Sequence, residues 1–266
     1  MAAPPDRETL LAAVERSPRA AAAHDRAGWV ALFTDDARVE DPVGSRPHVG
    51  HEQIGRFYDT FIGPRDITFH RDLDIVFETV VLRDLELEVA MGSGVTMHIP
   101  AFLRYDLRDA NGRWRIEELR AYWELPAMVL QFLSTGSRAA SPALRLTRGL
   151  LSNQRLRGTA GFLTGFRRVG AGRKKRAEEF LRAAGRRDHG AAGRALSPRA
   201  TITLGDHEQL DLADLADQLD GARPTKTISA GPTVTISVDS RRGRGMLFAD
   251  MGRRGATINR VRYFPG

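Results

Sequence analysis

Few side chains in this sequence have the type and spacing that chemistry needs. His48 and His51 stand three residues apart, but no carboxylate or third histidine completes a metal site, so they read as solvated histidines and no metal is expected. Asp35 and Asp36 read as a helix stop, not as a paired acid and base. The run from Gly170 to Lys175 lacks the spacing and the Ser or Thr of a phosphate loop. Arg241 to Gly245 reads as a hairpin turn, not an RNA-binding tract. Cysteine is absent, which excludes disulfides, thiolate zinc sites, iron–sulfur clusters and a cysteine nucleophile. One further acid, Asp41, ends a short strand-like run directly before Pro42, where turns are common.

What could position that acid follows from the rest of the chain. Its 266 residues, 42% hydrophobic and 27% charged, suit one or two globular domains that bury real cores. The formal charge of +7 is unevenly spread: residues 1–124 carry a net −7, residues 125–176 a net +11 with no acid at all, and residues 177–266 a net +3. An acidic front, a basic bridge and a near-balanced back outline the domains. The N-terminus has Pro4, Pro5, Asp6 and Glu8 where a signal peptide needs a basic and then an apolar run. The apolar stretch from Ala127 to Leu133 falls far short of the ~20 residues of a membrane helix. The expectation is a cytoplasmic protein, with a peripheral membrane contact through the bridge as its one extension.

Residues 8–33 read as helices broken near Gly28, followed by a short strand from Ala37 to Asp41 and a third helix carrying Ile54, Phe57, Tyr58 and Phe61 on one stripe. Strand-like runs follow at 68–73, 75–82, 85–91, 98–107 and 114–123. Asn111-Gly112 is a strong hairpin turn because both residues tolerate positive φ. Helices first and an antiparallel meander afterwards predict an α+β domain. In the bridge, Gly170 to Arg176 reads as a flexible basic hinge. Shifting the chain by 163 residues sets Asp25 on Asp188, Phe33 on Leu196, Ala37 on Ala200 and Val39 on Ile202, with helix and strand patterns in the same order. This predicts a smaller second copy of the front domain. The expected boundaries are 1–126, 127–176 and 177–266.

The segment VALFTDDARVEDPVGSRPHVGHEQIGRFYDTF, Val30 to Phe61, resembles the ketosteroid isomerase branch of the nuclear transport factor 2 superfamily, also called SnoaL-like. NGRWRIEELRAYWELP, Asn111 to Pro126, is similar to that family's last hairpin. The resemblance covers residues 8–126, and residues 177–266 only at the superfamily level. It implies cone-shaped α+β domains, each a curved antiparallel sheet wrapped by three helices around an apolar pocket, here as two tandem copies. By this resemblance Asp41 is the general base, and burial against an apolar cavity would raise its pKa toward a useful value. Ser17 and Ala101 fall where the family carries the Tyr and the protonated Asp of its oxyanion hole, so both of those donors are missing. Tyr58 matches a pocket Tyr and Trp123 an aromatic at the pocket mouth. Phe33, Phe57, Phe61 and Phe102 are expected to line the remainder. His98 is out of strand phase with Ala101 and should face the other way. The second copy has Leu204 at the place of Asp41, hence no base.

No cofactor is implied. The expected partner is an apolar, steroid-like small molecule. The bridge residues Arg145, Arg148, Arg155, Arg157, Arg167 and Arg168 interleave with Leu and Phe. They read as a solvated linker, as an interfacial segment on anionic lipid, or as a nucleic-acid contact, which the lack of Tyr and Trp and the acidic front disfavour. Two functional classes follow: a steroid Δ-isomerase-like enzyme acting on a steroid or other polycyclic enone, or a non-catalytic steroid- or lipid-binding module held at a membrane by the bridge. SnoaL-type cyclase or hydrolase chemistry uses the same fold without a distinct signature here. The family resemblance suggests a homodimer, and the tandem copy suggests that pairing within one chain instead.

Overall fold

The computed structural model describes residues 5–90, 95–124, 171–252 and 257–266. The chain divides into two compact units, Met1–Arg167 and Arg168–Gly266. The six bridge arginines from Arg145 to Arg168 named above lie outside the described residues, as does most of the bridge itself.

In the front unit, helix α1 spans Arg7–Ala22 and is started by Asp6, whose carboxylate accepts from the Thr9 backbone N–H at 2.8 Å. Leu10, Ala13, Val14, Ser17 and Ala21 form its buried stripe. The break falls at His24 (φ 51°), earlier than Gly28. Gly28 lies inside helix α2, Arg26–Val30, because the Asp25 side chain caps that helix by accepting from Gly28 N at 2.8 Å. A Cβ at Gly28 would stand 2.0 Å from Asp25 Oδ2, the other oxygen of the capping carboxylate. Asp35 and Asp36 do not stop a helix. They are exposed positions of strand β1, Phe33–Glu40, and Asp36 pairs with Arg108. Strand β2 is His48–Val49, and helix α3, Gly50–Phe57, runs on into a π-helical turn, Tyr58–Ile62.

Strands β3 (Asp66–Phe77), β4 (Val80–Ala90), β5 (Thr96–Asp109) and β6 (Trp114–Tyr122) form the meander. The run expected at 75–82 straddles the β3–β4 turn at Glu78 (φ 52°), and the pairing shift between Arg71 and Leu73 disguises the alternation there. Asn111 and Gly112 turn with φ of 57° and 77°, as their types require. The sheet order is 2-1-6-5-4-3. It is mixed, not purely antiparallel: β1 pairs in parallel with β6, because the meander returns its last strand beside the strand that preceded it. One face of this sheet packs under the helices around Trp29, Phe33, Phe57, Tyr105 and Leu119. Among the described residues, no helix is long and apolar enough to cross a membrane.

The back unit repeats this plan. Helix α4 spans Ala171–Gly185, so residues 171–176 of the stretch read as a hinge are already helical, helped by i,i+4 pairs such as Glu178–Arg182 at 2.9 Å. Helix α5, His189–Ala195, is capped by Asp188 accepting from Ala191 N at 2.9 Å. Arg187 before it has φ 57°. These are the 163-residue partners of His24, Asp25 and Gly28, so a left-handed residue followed by an Asp cap recurs at the same place. Strands β7 (Leu196–Leu204) and β8 (Glu208–Gln209), helix α6 (Leu212–Gln218) and strands β9 (Arg223–Ala230), β10 (Thr233–Ser240), β11 (Gly243–Met251) and β12 (Ile258–Pro265) follow. Their sheet order, 8-7-12-11-10-9, is that of the front sheet displaced by six strands, with β7 and β12 again parallel. Arg241 and Arg242 form the β10–β11 turn.

Candidate active site

Strand β1 delivers Asp41. Ala37 and Val39 belong to the core beneath the helices, and alternate residues of a strand share a face, so Asp41 continues on that inner face. The chain then turns tightly. Val43 N donates to the Ala121 carbonyl at 2.8 Å, Ser45 N to the Pro42 carbonyl at 3.0 Å, and Gly44 N to the Glu40 carboxylate at 2.7 Å. These bonds pin residues 40–45 against β6, which leads directly into Trp123. The Trp123 indole N–H donates to Asp41 Oδ1 at 2.5 Å. Asp41 keeps part of its surface, yet its carboxyl is withdrawn far enough from water that burial pushes its pKa up to about 6. The indole bond acts the other way, favouring the charged form.

Ser17 is buried, and its Oγ accepts from Trp29 Nε1 at 3.1 Å. It is also hydrogen-bonded to the phenol of Tyr105, which burial holds at a pKa of about 12. Assigning the single proton of Ser17 to Tyr105 Oη satisfies all three groups and leaves the Tyr105 O–H to donate elsewhere. Tyr105 is a site residue that the sequence did not single out. The signal was present nonetheless: four residues apart on one strand, Tyr105 and Ala101 share a face. Register relates Tyr105 to the acid, since Val39 pairs with Leu119 and Leu119 with Tyr105. At about 4.8 Å per strand and 3.4 Å per residue, Asp41 and Tyr105 stand roughly 12 Å apart along the sheet. The small residues Ala101 and Ala121 lie on the same inner face.

That face also holds a buried cation missed in the sequence. Arg83 donates through Nε and Nη2 to Asp74 at 2.8 and 3.1 Å and reaches Glu15 at 3.3 Å, while its Nη1 has no partner among the described residues. Its charge acts on Tyr105 by favouring the phenolate.

The other expected site residues divide. Trp29 gathers Phe33 (4.7 Å between ring centres), Tyr58 (5.5 Å) and Phe57 (6.3 Å), and Phe61 packs on Phe57 at 5.1 Å. The Tyr58 hydroxyl is buried without a partner among the described residues. The charges around it belong to Asp25, Asp59 and Arg26 on the helical side, so it does not join the Ser17–Tyr105 chain. Phe102 is a correction. It stands between Ala101 and Leu103, both in the inner cluster, and so faces the opposite side of the sheet. His98 also faces away and bonds Glu86 at 3.0 Å. The histidines read as solvated are engaged: His51 Nε2 meets the Phe33 carbonyl at 3.0 Å, and His48 packs on Phe57, its pKa pushed down to about 4 by burial and by Arg56 and Arg46.

The equivalent place in the back unit is filled. Matching the parallel pairs Val39–Leu119 and Ile202–Val261 sets Leu204 on Asp41, Tyr263 on Ala121 and Pro265 on Trp123. Leu247 pairs with Tyr263 as Leu103 pairs with Ala121, which sets Gly245 on Ala101. A Cβ on Gly245 would stand 2.6 Å from Tyr263 Oη. The tyrosine therefore lies over Gly245, where the front unit carries the two alanines Ala121 and Ala101.

Two six-stranded mixed sheets, each with its own helices and one parallel closing pair, define the cone-shaped α+β class of the nuclear transport factor 2-like fold. Within that class the chain belongs, through its front unit, to the SnoaL-like domain family, whose sequence model matches residues 14–117. Several solved structures are similar to this chain. RV0760c from Mycobacterium tuberculosis, in complex with estradiol-17beta-hemisuccinate, is 30% identical over 44% of this chain and 95% of that one, with a TM-score of 0.41. A Delta 5-3-ketosteroid isomerase from Mycobacterium sp. is 31% identical over 45% and 96%, TM-score 0.41. SalBIII, an epoxide hydrolase/cyclase-like enzyme in pyran ring formation in polyether salinomycin, is 20% identical over 46% and 95%, TM-score 0.41.

Proposed function

We propose that the front unit is a cofactor-independent isomerase that moves a proton within a steroid or related polycyclic enone, with Asp41 as its base. The observation that carries this reading is an inner-face carboxyl, Asp41, held by the Trp123 indole at 2.5 Å, with its pKa raised to about 6. Such an acid is ionised at neutral pH yet basic enough to accept a proton from carbon. Asp41 removes the proton from the carbon between the ketone and the isolated double bond. The C–H electrons form a dienolate whose oxygen carries the charge. The protonated Asp41 then returns the proton at the far end of the dienolate, giving the conjugated ketone with no net change in atoms or electrons. Tyr105, a neutral phenol supported by Ser17 and close to the charge of Arg83, is the donor for the dienolate oxygen in place of those absent at positions 17 and 101.

The named isomerase relative sets the first substrate to try, a 3-oxo-Δ5-steroid. The test is the growth of conjugated-enone absorbance with the full chain; no rate above buffer sinks the proposal. Activity should rise with pH through a limb near pH 6, as Asp41 ionises. In Trp123→Phe the charged form loses its indole donor, so the limb should move to higher pH. An unmoved limb would mean that another group is being titrated.

A second reading has its own observation: Ser17 is committed to Trp29 and Tyr105 and offers a ligand nothing directly. The front unit then binds a steroid or lipid without turnover. Saturable steroid binding combined with no isomerisation selects that reading.

A further inference from the structure

The back unit has lost the base, yet it carries a feature that the front unit lacks. Arg176 and Arg182 of helix α4, Arg186 just beyond its end and Arg194 of helix α5 line one concavity of about 390 Å³. Its floor is apolar, with Phe180 and Ala183 buried, and its one carboxylate is Glu179. Glu179 lies 3.9 Å from Lys175, and Arg182 is paired with Glu178 at 2.9 Å. Arg176, Arg186 and Arg194 make no ion pair among the described residues. Arginines elsewhere on this unit do find carboxylates: Arg187 reaches Asp217 at 2.8 Å, Arg241 reaches Asp220 at 3.4 Å and Arg262 reaches Asp250 at 3.2 Å. Cations are thus left uncompensated at the place where two helices bring them together. The 163-residue shift sets Arg176, Arg186 and Arg194 on Ala13, Ala23 and Ala31 of the front unit, and only Arg182 meets another arginine, Arg19. The cluster belongs to the back copy alone.

We infer that this pocket binds a phosphorylated ligand. Guanidinium groups meet phosphate oxygens with two parallel, charge-assisted hydrogen bonds, and several converging forks select a multiply charged oxyanion over a lone carboxylate. A bound dianion also relieves the mutual repulsion of the arginines, and the apolar floor accepts the organic part of an ester. A soluble phosphate ester and a phospholipid headgroup share this chemistry, and the experiment separates them.

Pyrophosphate is titrated calorimetrically into the full chain, into Arg186→Gln/Arg194→Gln, and into a control, Arg223→Gln/Arg242→Gln, that removes the same charge from exposed sites outside the pocket. The same three proteins are floated with vesicles of phosphatidylcholine, with and without phosphatidic acid. The expected result is saturable pyrophosphate binding that weakens with added salt, falls about tenfold or more in the pocket variant and is kept in the control. Flotation on phosphatidic acid that is lost only in the pocket variant assigns the headgroup, and flotation that is equal in all three assigns a soluble ester. Equal pyrophosphate affinity in the pocket variant and the wild type, an equal loss in the control, or no binding by the wild type overturns the inference.

Discussion

Asp41→Asn is expected to slow isomerisation of a 3-oxo-Δ5-steroid by about 10²–10⁴-fold, the usual worth of a positioned general base. KM should barely change, because Asn keeps the shape of the side chain and can still accept from the Trp123 indole through its carbonyl oxygen. The loss then appears in kcat and kcat/KM together, the signature of an interaction made in the transition state. Equal rates for the two proteins would remove Asp41 from the chemistry. Stability supplies an independent readout. The folded pKa of about 6 lies above the ordinary value of 3.8, so the folded state holds the proton more tightly than the unfolded chain does. Stability is therefore highest while Asp41 is protonated and falls as pH rises from about 4 to about 6. The ionised carboxyl costs at most about 3 kcal/mol above that window, and its partial exposure reduces this. Asp41→Asn should match the wild type at pH 4 and melt higher at pH 7. A variant that melts lower at pH 7 would show that the carboxylate is a structural support and not a strained base.

Tyr105→Phe carries the second large effect, a fall in kcat of about 10²–10³, the loss typical of removing one oxyanion donor. The substitution keeps the ring in the core beneath the helices, so fold and KM should be preserved. Ser17→Ala separates donation from support. Without the serine, Tyr105 loses the hydrogen bond that favours its ionised form, so the phenol becomes a weaker acid and kcat falls by less than in Tyr105→Phe. If the two variants lose stability but neither loses turnover, the Trp29–Ser17–Tyr105 chain is only a core network, and the dienolate must be stabilised in another way.

Much of the fold was legible because its signals are local. The alternation in 98–107 and 114–123, the turn types at Asn111 and Gly112, and the match of Asp25 with Asp188 at a spacing of 163 each need only a few residues of context. The β1–β6 parallel pairing was not legible, because it joins residues about eighty apart and no local pattern announces it. Asp35 and Asp36 misled for a related reason: exposed acids at a strand start have the same composition as a helix stop. At the candidate site, Asp41 was recognisable from its sequence setting. The indole that holds it needed three dimensions, since Trp123 sits 82 residues away. Tyr105 shares the strand face of Ala101 by period two, but the family pattern places its donors at positions 17 and 101 and so gives no signal at 105. Arg83 was hidden by its charge. A sequence places arginine outside by default, and only the carboxylates of Asp74 and Glu15 explain why it lies inside.

Tyr263 lying across Gly245 has a consequence for counting. Duplication gives this chain two cones, and a symmetric reading would give each of them a ligand. With the tyrosine lying across the second, and leucine and proline standing for the acid and the indole, the proposed function gives the chain one ligand site. A calorimetric titration should saturate at one equivalent per chain. Opening the second cone would require Tyr263 to shrink, for which Tyr263→Ala is the direct substitution, and the stoichiometry itself would then move toward two.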